Sequence, residues 1–183
     1  MAQPAAAGGA EPPAFVSAAA SKLPAGVECL NGVIDFSNVT VLNGTHANGA
    51  SIMRAGNQSI LSSDADEQLL ITIPFTETVR LNGISFIAPE GESAPVTVKI
   101  FSNPLEMDFS DAESTAATMS MELAAEDLAP DSFNALKFVK FQQVFKVVIF
   151  IEDNGGADST SLSGIEIFGK KVHTTKMSDL KGC

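Results

Sequence analysis

The sequence predicts an all-β protein folded as an antiparallel β-sandwich or jelly roll, with only short helical turns. Two observations lead to this prediction: short runs of alternating apolar residues are separated by turn residues, and no run has a strong amphipathic helical pattern. The chain has 183 residues, of which 45% are hydrophobic and 18% charged. That composition is typical of a globular protein, and the length suits one domain with some tail.

Three strands are predicted in the first half of the folded region. Residues 68–75 place alternate apolar side chains on one face, and Pro74 indicates an edge position or the last paired residue of the strand. Residues 79–87 form a second strand whose apolar phase changes at Asn82, next to a glycine, which is typical of a β-bulge. Residues 95–102 alternate cleanly as a third strand.

The connection from residue 103 to residue 135 interrupts this pattern. Short helical turns are predicted at 104–110 and 123–128, with a brief strand at 119–123 between them. A connection of this length suits a crossover between the two sheets of a sandwich.

Three further strands complete the prediction. Residues 135–141 alternate, and residues 144–151 are the most hydrophobic run of the chain, interrupted only by Lys146. Such a run is typical of a central strand covered on both faces. Residues 154–158 are predicted as a hairpin loop, and residues 162–168 as the last strand.

Several apolar side chains are predicted to be buried. Cys29 is expected to be buried and inert, because a free cysteine behaves as a small hydrophobe. Four phenylalanines at strand spacing are expected in the core, where burial of each contributes about 1.5–3 kcal/mol. They are Phe138, Phe141, Phe145 and Phe150.

The chain divides into three parts. Residues 1–26 are rich in Ala, Pro, Gly and Ser and are predicted as a disordered leader, in which a short helix could start at residue 15. The leader lacks the pattern of a signal peptide. Residues 27–170 are predicted as the β-sandwich domain, and residues 171–183 as an extended tail.

The charge and aromatic composition point to a protein partner. The net charge is −11, whereas a nucleic-acid binder needs a basic surface and anionic membranes repel an acidic protein. There are 12 Phe and neither Trp nor Tyr, which disfavours the stacking platforms of sugar sites. We expect a monomer that attracts a basic protein surface.

The two cysteines indicate the cellular compartment in which the protein is expected. Cys29 and Cys183 are predicted to be unpaired, which fits the reducing cytoplasm or nucleus.

The best candidate site is the acidic cluster Asp64, Asp66 and Glu67. Three interpretations are open: the carboxylates cap a turn before a strand, contact a basic partner, or hold Ca²⁺, which needs more oxygens than this segment supplies. Turn capping is favoured.

A second feature is an acidic block. No Lys or Arg occurs between Lys99 and Lys137, while eight Asp and Glu residues do. The block is either a docking face or a solvated surface that maintains solubility. The residues predicted to contact a partner are Asp64, Asp66, Glu67, Glu106, Asp108, Asp111 and Glu113.

No catalytic, cofactor-binding or metal-ligating residue is predicted. His46 and His173 lie in a predicted loop and in the tail, and neither has a cysteine near it in sequence as a zinc site would. No local signature joins a nucleophile to a base.

Segments in a fixed order resemble a known family. They are GVECLN at 26–31, SDADEQLLI at 63–71, VKIFSN at 98–103 with MDF at 107–109, and FVKFQ at 138–142 with VIFIE at 148–152. Together they resemble the PITH domain, which is found at the C-terminus of a thioredoxin-like protein and in stand-alone proteins.

The resemblance implies a β-sandwich of the galactose-binding type and association with the proteasome regulatory particle. The chain departs from the two-domain member because it has no Cys-x-x-Cys motif, so redox activity is not carried over. Residues 33–61 match the family poorly. We therefore predict a non-catalytic protein-interaction module. The alternative is a jelly-roll domain that binds a carbohydrate or another small ligand, and it rests on fold analogy.

Overall fold

A computed structural model describes residues 22–45, 49–54 and 59–172 of the protein. The strands are β1 (Glu28–Cys29), β2 (Thr40–Leu42), β3 (Leu61–Ser62), β4 (Leu69–Ile87), β5 (Pro95–Ser102), β6 (Met119–Glu122), β7 (Asn134–Ala135), β8 (Val144–Asn154), β9 (Ser161–Leu162) and β10 (Gly164–Lys171). The helical elements include α1 (Phe109–Ser114) and short 3₁₀ helices at Asn31–Val33, Gly49–Met53, Ala125–Leu128 and Phe138–Lys140. The structure is mostly antiparallel sheet with little helix, as predicted.

Strand β4 joins the two layers of the sandwich. Its first half pairs with β2 and β8, and the first layer continues from β8 to β5 and then to β6. Its second half pairs with β7 and with β10, which continues to β1. The register with β8 shifts between Pro74 and Val79. Pairing with β8 resumes at Val79, and Phe75 forms a bridge with Ile34, so the prediction that Pro74 is the last paired residue of its strand was wrong.

One apolar cluster fills the space between the layers. Its members from the first layer include Ile71 and Ile149, and those from the second layer include Leu81, Ile165 and Ile167. Each of these side chains is 0% exposed. The alternation of apolar residues along the strands thus corresponds to the inner faces of two packed layers.

A second apolar cluster covers the outer face of the first layer. Leu70 of β4 and Val148 and Phe150 of β8 are buried beneath α1, where they meet Ala112 and Phe109. The ring centroids of Phe109 and Phe150 lie 6.1 Å apart in an edge-to-face arrangement. Strand β8 is therefore covered on both faces, as predicted for a central strand.

The predicted bulge at Asn82 is confirmed. Gly83 and Leu81 pair with consecutive residues of β10, so Asn82 is the extra residue of β4. The strands approach closely here, since a Cβ atom on Gly169 would lie 1.9 Å from the carbonyl oxygen of Arg80. Only glycine fits at that position without a backbone shift.

The prediction of a strand at 135–141 was wrong. Only Asn134–Ala135 is strand, and the chain then curls into the 3₁₀ helix at 138–140. The N–H of Phe141 donates to the carbonyl oxygen of Phe138 at 3.1 Å, and this local bond replaces pairing with a neighbouring strand. The alternation of apolar residues in 135–141 did not indicate the 3₁₀ helix at 138–140.

Three smaller predictions also need correction. Residues 68–75 and 79–87 form one continuous strand, β4, and the helix predicted at 104–110 lies at 109–114. The predicted hairpin loop at 154–158 starts after Asn154, the last residue of β8, and is not a hairpin, because β8 pairs with β4 and β5, whereas the next strand, β9, pairs with β3.

The long connection between β5 and β7 crosses from the first layer to the second, as predicted. No helix in the described ranges is long and apolar enough to cross a membrane. The predicted leader helix from residue 15 and most of the predicted tail, 173–183, lie outside the described residues.

Candidate functional site

The turn before β4, residues 63–68, is held by one amide side chain. Asn43 adopts a left-handed backbone conformation, with φ 63°, which asparagine tolerates. Its Nδ2 donates to Oδ1 of Asp66 at 2.8 Å and to the carbonyl oxygen of Gln68 at 2.7 Å. Its Oδ1 accepts from the N–H of Ala65 at 2.9 Å. The shape of the turn is therefore fixed from a neighbouring loop.

Of the three carboxylates in this turn, the side chain of Asp66 caps the turn. Oδ1 of Asp66 also accepts from the N–H of Gln68 at 3.0 Å. Asp64 is exposed and Glu67 is half-exposed, and Glu67 contributes its backbone carbonyl oxygen to the hydroxyl of Thr160. In the described part of the chain, no group of three or more His, Cys, Asp and Glu side chains could hold a metal ion.

The acidic segment at α1 is ordered by a capping box. Oδ1 of Asp108 accepts from the N–H of Asp111 at 2.9 Å, and Oδ2 of Asp111 accepts from the N–H of Asp108 at 3.2 Å. Such reciprocal bonds satisfy two free donors at the helix start. The Nε2 of Gln68 donates to Oε1 of Glu113 at 3.2 Å, which joins α1 to the turn before β4.

The turn, the loop before α1 and α1 together form a surface that we call the acidic face. All of its residues except Glu67 are exposed. Ion pairs in the described ranges join Lys22 to Asp131, Lys99 to Glu152 and Lys171 to Glu77, and none of them includes a carboxylate of the acidic face. The acidic face consists of Asp64, Asp66, Glu67, Glu106, Asp108, Asp111 and Glu113.

The structure brings some of the predicted partner-contact residues together and leaves others without a connecting hydrogen bond in the described ranges. Hydrogen bonds join Asp108 and Asp111 within α1, and Gln68 connects the 63–68 turn to Glu113. Glu106 precedes the helix and lines a cavity of about 330 Å³ between β2 and the loop before α1. The acidic face can therefore attract a cation or a basic surface, while its backbone is held in place.

A second cavity, of about 390 Å³, lies where β4 ends and β5 begins. Its walls come from Ala, Pro, Val, Leu and Gly residues, and Glu90 is the titratable residue among its lining residues. Small-molecule sites combine apolar walls with a few convergent polar groups. This cavity has one carboxylate and no aromatic ring, so it offers little to a sugar.

Cys29 is half-buried rather than fully buried. Desolvation raises the pKa of its thiol to about 11, and the charge of Glu166 acts in the same direction. The thiol is therefore protonated at neutral pH and is a weak nucleophile, which agrees with the predicted inertness.

Two of the four phenylalanines predicted in the core are exposed. Phe141 and Phe150 are 0% exposed, as predicted, whereas Phe138 is 42% exposed and Phe145 is 55% exposed. The strand spacing of these residues predicted burial for all four rings. A lysine adjoins each exposed ring in the sequence, but Lys140 also adjoins the buried Phe141, so this signal could not have separated the two groups. His46, His173 and Cys183 lie outside the described residues.

The chain matches the PITH domain over residues 20–182. It is 36% identical over 162 residues to Thioredoxin-like protein 1 of Schizosaccharomyces pombe, covering 85% of this chain and 56% of that protein. It is 34% identical over 118 residues to human PITH domain-containing protein 1, covering 64% of this chain and 54% of that protein. The matched region thus spans about half the length of these relatives.

Solved structures with a similar fold come from Clostridium perfringens. CpGH89CBM32-5, in complex with GalNAc-beta-1,3-galactose, superposes with a TM-score of 0.56 at 10% identity, covering 76% of this chain and 99% of that chain. The family 32 CBM from NanJ, in complex with galactose, has a TM-score of 0.53 at 10% identity, covering 78% and 98%. At these identities the likeness concerns the fold, which is the predicted galactose-binding-like jelly roll.

Proposed function

The chain belongs to the PITH domain family, and on that premise we propose that it is a non-catalytic docking module that associates with the proteasome regulatory particle through its acidic face. The resemblance of its sequence segments to the family implies the proteasome as the partner. We propose further that it acts as a monomer in the cytoplasm or the nucleus.

The observation that supports docking is the arrangement of the acidic face. Its carboxylates lie on the turn, on α1 and in the loop before α1, and Gln68 joins the turn to the helix. None of them forms an ion pair within the described ranges. Beneath α1 lies the second apolar cluster, which holds the helix on the sheet. A fixed surface of one charge sign steers a partner of the opposite sign and fixes its orientation.

The test is capture of purified regulatory particles by the immobilised full chain. The variant Asp64→Lys with Glu106→Lys reverses two exposed charges whose side chains form no hydrogen bond within the described ranges. We expect capture to fall by about tenfold or more, since each charge reversal also creates repulsion. The matched control, Glu28→Lys with Glu90→Lys, reverses two exposed carboxylates outside the acidic face and should capture normally.

Salt dependence gives a second readout. Capture by the unchanged chain should weaken as ionic strength rises, because exposed charges are screened beyond roughly 8–10 Å at physiological salt. Failure of the unchanged chain to capture the particle at any salt concentration would refute the proposed partner. Equal losses in the two variants would instead refute the acidic face as the contact surface.

The alternative function, binding of a small ligand, is favoured by the fold likeness to CBM structures solved with sugars. The test is thermal unfolding with galactose, with N-acetylgalactosamine and with Ca²⁺. A ligand that binds only the folded state raises the melting temperature, and the rise grows with the logarithm of ligand concentration above the Kd. A concentration-dependent rise with either sugar would establish this alternative, and no shift would remove its support.

A further inference from the structure

We propose that the end of the sandwich at which β8 begins is a second docking surface, which binds an acidic protein segment that carries apolar side chains. We call this surface the basic–apolar end and define it by Leu105, residues 137–140, Phe145 and Lys146. The proposal does not depend on which partner the acidic face takes.

The first observation is a local reversal of charge. Between Asp131 and Glu152 the sequence has no Asp or Glu and three lysines, although the whole chain carries −11. Arg80 adds to this charge, because its guanidinium carbon lies 5.9 Å from the centroid of the Phe138 ring. These groups make this end more basic than the chain as a whole, and Glu106 of the acidic face lies at its border, where it lines the same cavity as Leu105 and Lys146.

The second observation is grouped apolar exposure. Leu105 is 92% exposed, Phe138 42%, Val139 79% and Phe145 55%, and these four are among six large apolar side chains that are exposed in the described ranges. Single exposed apolar residues are normal on protein surfaces. Phe138, Val139 and Phe145 fall within eight consecutive residues, and neighbouring exposed apolar side chains mark a surface that another molecule covers.

The third observation is that hydrogen bonds hold the loop before α1 against the start of β8. Oδ1 of Asn103 accepts from the N–H of Phe145 at 2.9 Å, and its Nδ2 donates to the carbonyl oxygen of Gln143 at 2.8 Å. The Nζ of Lys146 donates to the carbonyl oxygen of Leu105 at 2.6 Å. These bonds place Leu105 beside the start of β8, next to Phe145.

The 3₁₀ helix at 138–140 is fixed in a similar way. The Nε2 of Gln142 donates to the carbonyl oxygen of Phe138 at 2.8 Å, and the Nζ of Lys140 donates to the carbonyl oxygen of Thr118 at 3.2 Å. The apolar side chains therefore project from a backbone that is already ordered. A preorganised surface loses less conformational entropy when a partner binds.

The charge at this end selects the class of partner. Basic groups around exposed rings complement a segment in which Asp or Glu residues flank Leu or Phe. An anionic membrane would also attract the lysines, but it would repel the remaining surface of a chain whose net charge is −11. A protein segment contacts the basic–apolar end alone and avoids that repulsion.

The experiment measures binding of the full chain to two libraries of short labelled peptides. One library varies Asp, Glu, Leu and Phe, and the other has Lys and Arg in place of the acids. We expect binding to the acidic library only. The variants Lys137→Glu with Lys140→Glu, and Phe138→Ser with Phe145→Ser, should each weaken it by about tenfold or more, because a few anchors dominate such interfaces.

Control variants separate this effect from general changes of charge or folding. Lys170→Glu and Ile60→Ser alter an exposed lysine and an exposed apolar side chain elsewhere on the surface, and they should bind normally. The double lysine variant removes one exposed hydrogen bond, from Lys140 to Thr118, so the domain should stay folded with little loss of stability, which thermal unfolding checks.

Each of four results would overturn the proposal: no binding to the acidic library, equal binding to the basic library, undiminished binding by the double lysine variant, or undiminished binding by the double phenylalanine variant. Two further measurements test other occupants. If the unchanged chain binds phosphatidylserine vesicles and both double variants do not, the surface binds a membrane. If the unchanged chain self-associates and both double variants do not, the surface binds a second copy of the chain.

Discussion

Strand β8 places one phenylalanine beneath the acidic face and another at the basic–apolar end, and the two rings differ in exposure. At the acidic face, Phe150 of β8 is 0% exposed because α1 covers it and carries the carboxylates outward. At the basic–apolar end, Phe145 of the same strand is 55% exposed. The comparison shows that the exposure of a ring in β8 depends on whether another part of the chain packs over it. The alternation of residues along the strand does not determine that exposure.

The largest expected difference between the two regions concerns these two rings. Phe150→Ala removes a ring from a closed cluster and should lower the free energy of unfolding by about 3–5 kcal/mol. Phe145→Ala removes a ring that already contacts water and should cost less than about 1 kcal/mol. Urea unfolding of both variants, followed by circular dichroism, measures the difference.

An equal loss of stability in these two variants would break the comparison, because it would mean that Phe145 is packed in solution. The variant Phe141→Ala is the matched control, since Phe141 lies next to the basic–apolar end but is 0% exposed. It should resemble Phe150→Ala.

A medium effect is expected from the cap of α1. Asp108→Ala removes the side chain that accepts from the N–H of Asp111, and loss of such a cap costs about 1 kcal/mol. Because α1 covers Phe150, frayed ends of the helix should also expose the second apolar cluster. Amide hydrogen exchange at 109–114 should accelerate in the variant, while exchange at 138–140 stays unchanged.

The smallest effect is expected from the exposed charges themselves. Lys137→Glu with Lys140→Glu, and Asp64→Lys with Glu106→Lys, alter side chains on the surface, and each pair should shift the free energy of unfolding by less than about 0.5 kcal/mol per site. Thermal unfolding checks this. A larger loss in either pair would show that the charges stabilise the fold instead of serving a partner.

The sequence predicted the parts of the fold that depend on local pattern. The bulge at Asn82 followed from a phase change beside a glycine, and the central position of β8 followed from an apolar run interrupted only by Lys146. The acidic face was visible as charge in the sequence. Its assembly was not, because the bond between Gln68 and Glu113 joins residues 45 positions apart.

The basic–apolar end could not be predicted for a similar reason. Whether Phe138 and Phe145 are buried depends on where the chain turns after β7 and on what lies over the start of β8. Neither is a property of strand spacing. Flanking lysines distinguish these rings from Phe150, but lysines also border buried strands, so the signal does not decide the question alone.

Strand β4 contributes hydrogen bonds to both layers along one uninterrupted run of 19 residues. Because β4 belongs to both layers, unfolding of one layer would break hydrogen bonds of the other. The two layers are therefore expected to unfold together. Amide protons in the two sheets should therefore exchange with solvent through one shared global opening. Denaturation of the domain should then follow a single all-or-none transition.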